Sequence, residues 1–345
     1  MSRGYFPKRT ELELTPLFSG LITATHILHH HSLLTTTGSI SVRNPDRRET
    51  FFLADDDDDD ESIAPALLSS ASSLLEYFVD SGAPVEQKTA ADETAGAVSE
   101  RYIHSELYKK FAHVNAVVFS PCADVLPFGL VPSAAAAAAA VLRPTTAAAA
   151  FIGAEAPVWD IGGAYASSDA HALRVSTAKL GHSLALKFAR PETSGRFLMD
   201  KMTSALGGGG GGGGGAGKDG AGEFPEHPVV VMRGMGFAAA GRGVEDVVYM
   251  AVKTREAAVA QMRALAVGAA YWGGTVEGKV NVEGGGVIKN GKVKREGEVR
   301  YLDAKEVKDS AELRSGEVAK AWRVWCREVE VNPLYRNDVE QESAT

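Results

Sequence analysis

Cysteine is nearly absent, with Cys122 and Cys326 the two in 345 residues. Two thiols cannot staple a chain of this size, which excludes a disulfide scaffold and points to a reducing, cytoplasmic setting. Basic charge is in deficit. With 36 Lys and Arg against 44 Asp and Glu, the formal net charge is −8, so the chain has no electrostatic grip on a phosphate backbone and nucleic acid is excluded as a partner. Long apolar runs are missing as well. The first residues, MSRGYFPKRTELELT, lack the apolar core of a secretory leader, and the run around Ala134 is broken by Arg143 and Pro144 before it could span a bilayer. The expectation is a soluble protein with no membrane partner.

What is present suffices for a full core. Apolar residues make up 45% of the chain, enough for one large domain or two small ones, and the low-complexity interruptions favour one. Residues 17–34 are periodic and helical; 39–43 and 51–53 read as strands, and 63–67 as a connection. Two compact apolar strands, 114–119 and 228–232, each end at a turn. The segment 243–269 has helical spacing, with Glu245 and Asp246 in a first turn where the helix dipole favours anions. This alternation of helices and short Val-rich strands predicts an α/β fold, a three-layer α/β/α sandwich around one sheet.

Three inserts interrupt the pattern. Asp55 to Asp60 with Glu61 is a block of like charge that repels itself and stays solvated; a calcium loop needs spaced oxygen ligands and a Gly turn. The nearly pure Gly run 207–217 reads as a linker. It ends in Gly217-Lys218, but Asp219 replaces the Ser or Thr that would hold magnesium, so a phosphate loop is rejected. The third insert, 275–302, alternates Val with charged residues around Asn290-Gly291, a type I′ hairpin signal.

The richest stretch is 99–129, SERYIHSELYKKFAHVNAVVFSPCADVLPFG. Glu100, His104 and Tyr108 are spaced i, i+4, i+8, which places them on one helical face and suits a carboxylate and an imidazole to acid/base work. The competing reading is structural: Glu100 and His104 hydrogen-bond within the helix or to the sheet edge, and Glu106 pairs with Lys110 at i+4. The sequence resembles the class II aldolase/adducin family, whose usual wording here is close to ER-x-I-H-x-E-x-Y followed by V-V-H-[ST]-H. Four further segments match in order: ATHILHHHSLLTTTGSISVRNP at 24–45, VLRPTTAAAAFIGAEAPVWDI at 141–161, HPVVVMRGMGFAAAGRG at 227–243 and NPLYRN at 332–337.

The resemblance implies a domain over 17–272, carrying the inserts 55–61 and 207–222, with an amino-terminal extension 1–16, a hairpin-like insert 273–302 and a helical tail 303–345. It also implies a homo-oligomer, a tetramer, with the 332–337 tail packed near a neighbouring subunit. Metal-binding relatives hold a divalent ion with three imidazoles and use it as a Lewis acid on an enediolate. Those three positions correspond to Phe119, Pro121 and Met235. Phe and Pro offer no lone pair and a Met thioether is a soft ligand, so no metal and no other cofactor is expected. The family's second acid falls on Ala147. Glu100 occupies the place of the proton-shuttling carboxylate, with His104 its candidate partner. Gly38, Ser39 and Ser41 resemble the family's phosphate or carboxylate cradle. Arg233 and Arg101 could bind an anionic oxygen in place of a metal, although Arg on a turn is more often a salt-bridge partner.

Other features weigh less. His29, His30 and His31 are adjacent, and neighbours on a helix diverge, so they read as structural. Gly234-Met235-Gly236 with Ala239 loosely fits a dinucleotide fingerprint but has no acidic ribose ligand downstream. Cys122 reads as a buried thiol rather than a nucleophile. Three functions follow in order: a pseudoenzyme serving as scaffold, partner or ligand sensor; a metal-independent lyase or isomerase using Glu100 and His104 on a small hydroxy-carbonyl compound; and adducin-like cytoskeletal binding, against which stands the acidic end 338–345 where adducins carry a basic tail.

Overall fold

Strands that are apolar at both odd and even positions need cover on both faces, and the central strands are of that kind. The computed structural model describes residues 11–54, 64–86, 100–130, 141–167, 169–189, 224–272, 288–289, 292–293 and 299–342. Seven strands form one sheet: β1 (Ser39–Arg43), β2 (Thr50–Ala54), β3 (Leu74–Phe78), β4 (Ala116–Ser120), β5 (Val158–Trp159), β6 (Val229–Met232) and β7 (Gly236–Gly241). Their order is β3-β2-β1-β4-β7-β6-β5. Among the described strands of this sheet, the edge pair β5–β6 alone is parallel.

Strand alternation sorts the side chains into two cores. Ile40, Val42, Ala116, Val118, Phe237 and Ala239 face one way, towards α1 (Glu11–His30) and α5 (Val244–Trp272). Val117, Phe119, Val230, Met232, Ala238 and Ala240 face the other, packed with Ile103, Leu107 and Tyr108 of α2 (Arg101–Lys110) and Leu180 and Leu184 of α4 (Ala178–Phe188). A single helical turn, α3, lies between them in the chain at Pro127–Leu130. The three-layer α/β/α sandwich is thus the architecture.

Boundaries shift by a few residues. The first helix begins at Glu11, ahead of the apolar periodicity, and ends at His30, because Ser32 takes φ 57° and turns the chain. The connection at 63–67 contains a 3-10 turn, Pro65–Leu67. Within the third insert, β8 (Ile288–Lys289) pairs antiparallel with β9 (Lys292–Val293). The Asp block, the Ala-rich run, the Gly run, Lys218 and Asp219 lie outside the described residues.

The carboxy-terminal segment, α6 (Ala304–Glu312), α7 (Arg314–Glu330) and a last turn α8 (Val339–Glu342), returns to its own chain. Tyr335 stacks on His26 with centroids 4.9 Å apart and bonds His29 Nδ1 at 2.9 Å, while Asn337 Nδ2 donates to the Ser19 carbonyl at 2.8 Å. The 332–337 tail is thereby seated on α1 of its own chain.

Candidate functional site

Register gathers the residues that sequence alone could only place one by one. Ser39 on β1 and Ala238 on β7 both stand opposite Phe119 of β4. Just past the strand ends, Gly38 (φ 94°) packs so closely that a Cβ there would lie 2.7 Å from Pro121 Cδ. Gly236 (φ 111°) is tighter still: a Cβ would strike the Ser120 carbonyl and lie 2.8 Å from Pro121 Cα. Both φ values suit glycine alone. Phe119, Pro121 and Met235 therefore cluster at one end of the central strands. Phe119 and Met235 are buried within the α2-side core.

That cluster does not fit a divalent metal. It presents a phenyl ring, a pyrrolidine and a thioether, none of them a hard donor. Among the described residues, no three His, Cys, Asp or Glu side chains converge on a common point elsewhere.

Beside the cluster runs a buried polar chain. His104 is fully buried, its Nε2 2.8 Å from Ser39 Oγ and its Nδ1 2.7 Å from Ser41 Oγ. Ser41 Oγ also lies 2.7 Å from the Tyr108 hydroxyl. Burial pushes the His104 pKa down to about 3 and the Tyr108 pKa up, so both are neutral at ordinary pH. Arg43 closes the chain's inner end, its guanidinium 4.7 Å from the Tyr108 ring centroid and donating to the carbonyls of Tyr108 (2.7 Å) and Val114 (3.0 Å).

These contacts bear on two readings. Ser41 is fully buried and bonded to His104 and Tyr108, so it turns into the core instead of cradling an anion. The reason is strand alternation: Ser39 and Ser41 share the face that α2 covers, and Ser39 alone, partly exposed, lies at its open end. His104 spends both ring nitrogens on serines, so it holds the site's wall together.

Glu100 is the residue preceding the first turn of α2, and its carboxylate is 3.9 Å from Nε of Arg174. Arg233, on the β6–β7 turn, is committed to Asp160 at 2.6 Å, and that guanidinium holds the Asp160 carboxyl below its usual range. Arg101 lies over the Tyr102 ring, 4.6 Å from its centroid. Glu106 is buried and turns to His182 (3.4 Å) and Lys109 (3.9 Å) rather than to Lys110. Ala147 opens the 3-10 helix Ala147–Ile152. Cys122 is buried, and burial raises its pKa, as an inert thiol requires. His29 and His30 end α1 and His31 follows, with His31 Nε2 3.9 Å from Glu328. Gly234-Met235-Gly236 joins two antiparallel strands rather than a strand and a helix, which removes the dinucleotide reading. Arg174, Asp160 and His182 escaped the sequence reading: Arg174 and His182 are lone titratable residues in segments without a motif, and Asp160, although inside the matched 141–161 segment, carries no local signal of its partner.

Comparison with known proteins gives one strong sequence match. The decarboxylase tropJ of Talaromyces stipitatus is 31% identical over 316 residues, covering 92% of this chain and 95% of that protein. Among solved structures, L-fuculose 1-phosphate aldolase of Glaciozyma antarctica superposes with a TM-score of 0.55 at 14% identity, over 96% of this chain and 97% of its own. An aldolase II superfamily protein of Pseudomonas syringae gives 0.54 at 15% identity, over 95% and 96%. No protein-family model matches the sequence.

Proposed function

Because the chain belongs to the class II aldolase/adducin family, we propose that it is a divergent member which keeps the fold, has lost metal-dependent lyase chemistry, and serves as a scaffold or as a binder of a small hydroxy-carbonyl or carboxylate ligand. One observation carries this reading. The β1–β4–β7 register brings Phe119, Pro121 and Met235 together, the three positions that the family resemblance assigns to metal-binding imidazoles, and none of the three offers a nitrogen or oxygen side-chain donor. Without a Lewis acid the electrons released by C–C cleavage beside a carbonyl have no metal-bound oxygen to receive them.

A second reading, metal-independent decarboxylation or another lyase or isomerase reaction, has a specific observation in its favour. The relative that matches nearly the whole chain is a decarboxylase, and Glu100 remains at the edge of the site with its carboxylate facing a guanidinium. There Glu100, after taking a proton from solvent, would pass it to the carbanion left by departing carbon dioxide and return to the carboxylate. Adducin-like binding gains no observation.

The deciding assay offers the full-length protein a panel of sugar phosphates, hydroxy acids and hydroxy-ketones, with EDTA and again with added zinc or manganese. The proposal expects binding without turnover in both. Turnover that EDTA leaves intact and Glu100→Gln abolishes would transfer the assignment to the second reading; turnover that appears only with metal would overturn both. The same proposal has the chain acting in the cytoplasm as a homotetramer, in keeping with apolar side chains left exposed along α7 and beyond it, Val324, Val331 and Leu334. Light scattering tests the assembly, and a monomer at micromolar concentration contradicts it. Among the described residues no helix is long and apolar enough to cross a membrane.

A further inference from the structure

Histidine is concentrated where the chain folds back on itself. Of nine histidines, four fall between positions 26 and 31 at the end of α1, and the segment that follows α7 lies across them. We propose that residues 332–342 form an acid-released clasp: charging of these histidines expels the segment from α1 while the sheet stays folded.

Tyr335 is the centre of the clasp. Its ring stacks on His26 and meets His29 and His30 edge-on, with centroids 5.8 and 6.1 Å away, while its hydroxyl bonds His29 Nδ1. Around it, Asn337 Nδ2 donates to the Ser19 carbonyl and to the Thr23 hydroxyl at 3.0 Å, and the Asp338 amide donates to the Ser69 carbonyl at 2.9 Å. Val339 is buried in the α1-side core. One aromatic side chain thus covers three imidazoles, and the contacts beside it are neutral hydrogen bonds and a single apolar anchor.

Charging those imidazoles works against this seat. His26 is buried with Nε2 on the Leu68 carbonyl; a carbonyl only accepts, so Nε2 carries the hydrogen and a second proton must go to Nδ1, on a ring that Tyr335 covers. Burial lowers its pKa, the Leu68 bond recovers part of the loss, and nearby His29 lowers it again. His29 is lowered by burial and by His30. His31 meets the Trp325 ring edge-on, 5.1 Å between centroids. Burial and His30 lower it, Glu328 of α7 and Glu256 of α5 oppose them, and Arg255 of α5, itself paired with Asp124, adds to the lowering. Lys253 lies over the Trp325 ring, 5.9 Å from its centroid. The segment itself carries Arg336, Asp338, Glu340 and Glu342, the last accepting from the Ala71 amide. Under the clasp the rings resist protonation, and in water they return towards an ordinary 6.5. Docking is therefore full above pH 6.5 and weakens as pH falls below it. Glu328 offsets part of the effect where His31 meets α7, so the loss falls on the segment beyond that helix.

Hydrogen exchange followed by mass spectrometry, corrected for the intrinsic pH dependence of exchange, tests the clasp on the full-length protein at pH 7.5 and pH 5.0. Protection of peptides from 332–342 should fall by about tenfold or more on acidification, leaving them about tenfold or more below peptides from β4. His26→Gln/His29→Gln, which cannot take up a proton at either position, should hold the segment's loss to about threefold or less. Should the double variant leave the segment unprotected already at pH 7.5, His29→Gln alone is read instead, with a loss smaller than in wild type expected. A segment that keeps its protection at pH 5.0, one that loses it in step with β4, or a histidine variant with the full wild-type loss overturns the clasp.

Discussion

Ser41 Oγ lies 2.7 Å from His104 Nδ1, and the same hydroxyl meets the Tyr108 phenol at 2.7 Å, so one buried serine satisfies two side chains from α2. Ser41→Ala leaves both with an unmade hydrogen bond in a dry core, a loss of about 1–3 kcal/mol. Ser39→Ala, at a position partly open to water, should cost less, about 0.5–1 kcal/mol. Urea unfolding of the two variants measures the order, and equal losses would mean that the chain is not dry at Ser41.

Acid should weaken the fold through histidines that are buried neutral. Desolvation lowers His26 to about 4 and His104 to about 3, from an ordinary 6.5. Between those values and 6.5 the unfolded chain binds protons that the folded chain refuses, so stability is full above pH 6.5 and falls as pH drops through the window. His26 Nε2 also bonds the Leu68 carbonyl at 2.7 Å. His26→Gln should flatten the dependence between pH 4 and 6.5 by at most one proton, about 1.4 kcal/mol per pH unit. Parallel stability–pH curves for the two proteins would show that His26 does not titrate as its burial demands.

Gly236 has a conformation and a neighbour that only glycine tolerates, with φ 111° and the Ser120 carbonyl in the path of any Cβ. Gly236→Ala should destabilise by roughly 3 kcal/mol or more, from backbone strain and overpacking together. Gly243→Ala, where nothing lies within 4 Å of the added carbon, should stay within about 0.5 kcal/mol. Thermal melts of the pair read the contrast, which vanishes if the β4–β7 ends are not packed as described.

The sheet was legible in the sequence because its central strands carry unmistakable runs: NAVVFS and PVVVM are apolar, β-branched and bounded by turns. That Phe119, Pro121 and Met235 lie at strand ends and turns was legible too, since each follows or joins an apolar strand. What escaped depends on distant segments meeting. Nothing local marks Arg174 as the partner of Glu100, which is 74 positions earlier, or ties His182 to Glu106 across the α2–α4 contact. The start of α1 at Glu11 was hidden because its first residues, ELEL, alternate at period two and Pro16 then interrupts the helical pattern. His104 looked like half of an acid/base pair because helical spacing shows a shared face, whereas only the fold shows that β1 covers that face with Ser39 and Ser41.

The central claim is that Phe119, Pro121 and Met235 have replaced a metal site, and elemental analysis tests it most directly. Full-length protein is made in medium supplemented with zinc, manganese and iron, purified without chelator, and analysed for metal per chain. The result expected is well under one equivalent of any of the three, with a melting temperature that EDTA does not change. One tightly held equivalent per chain, with a melting temperature that falls when EDTA removes it, would contradict the claim.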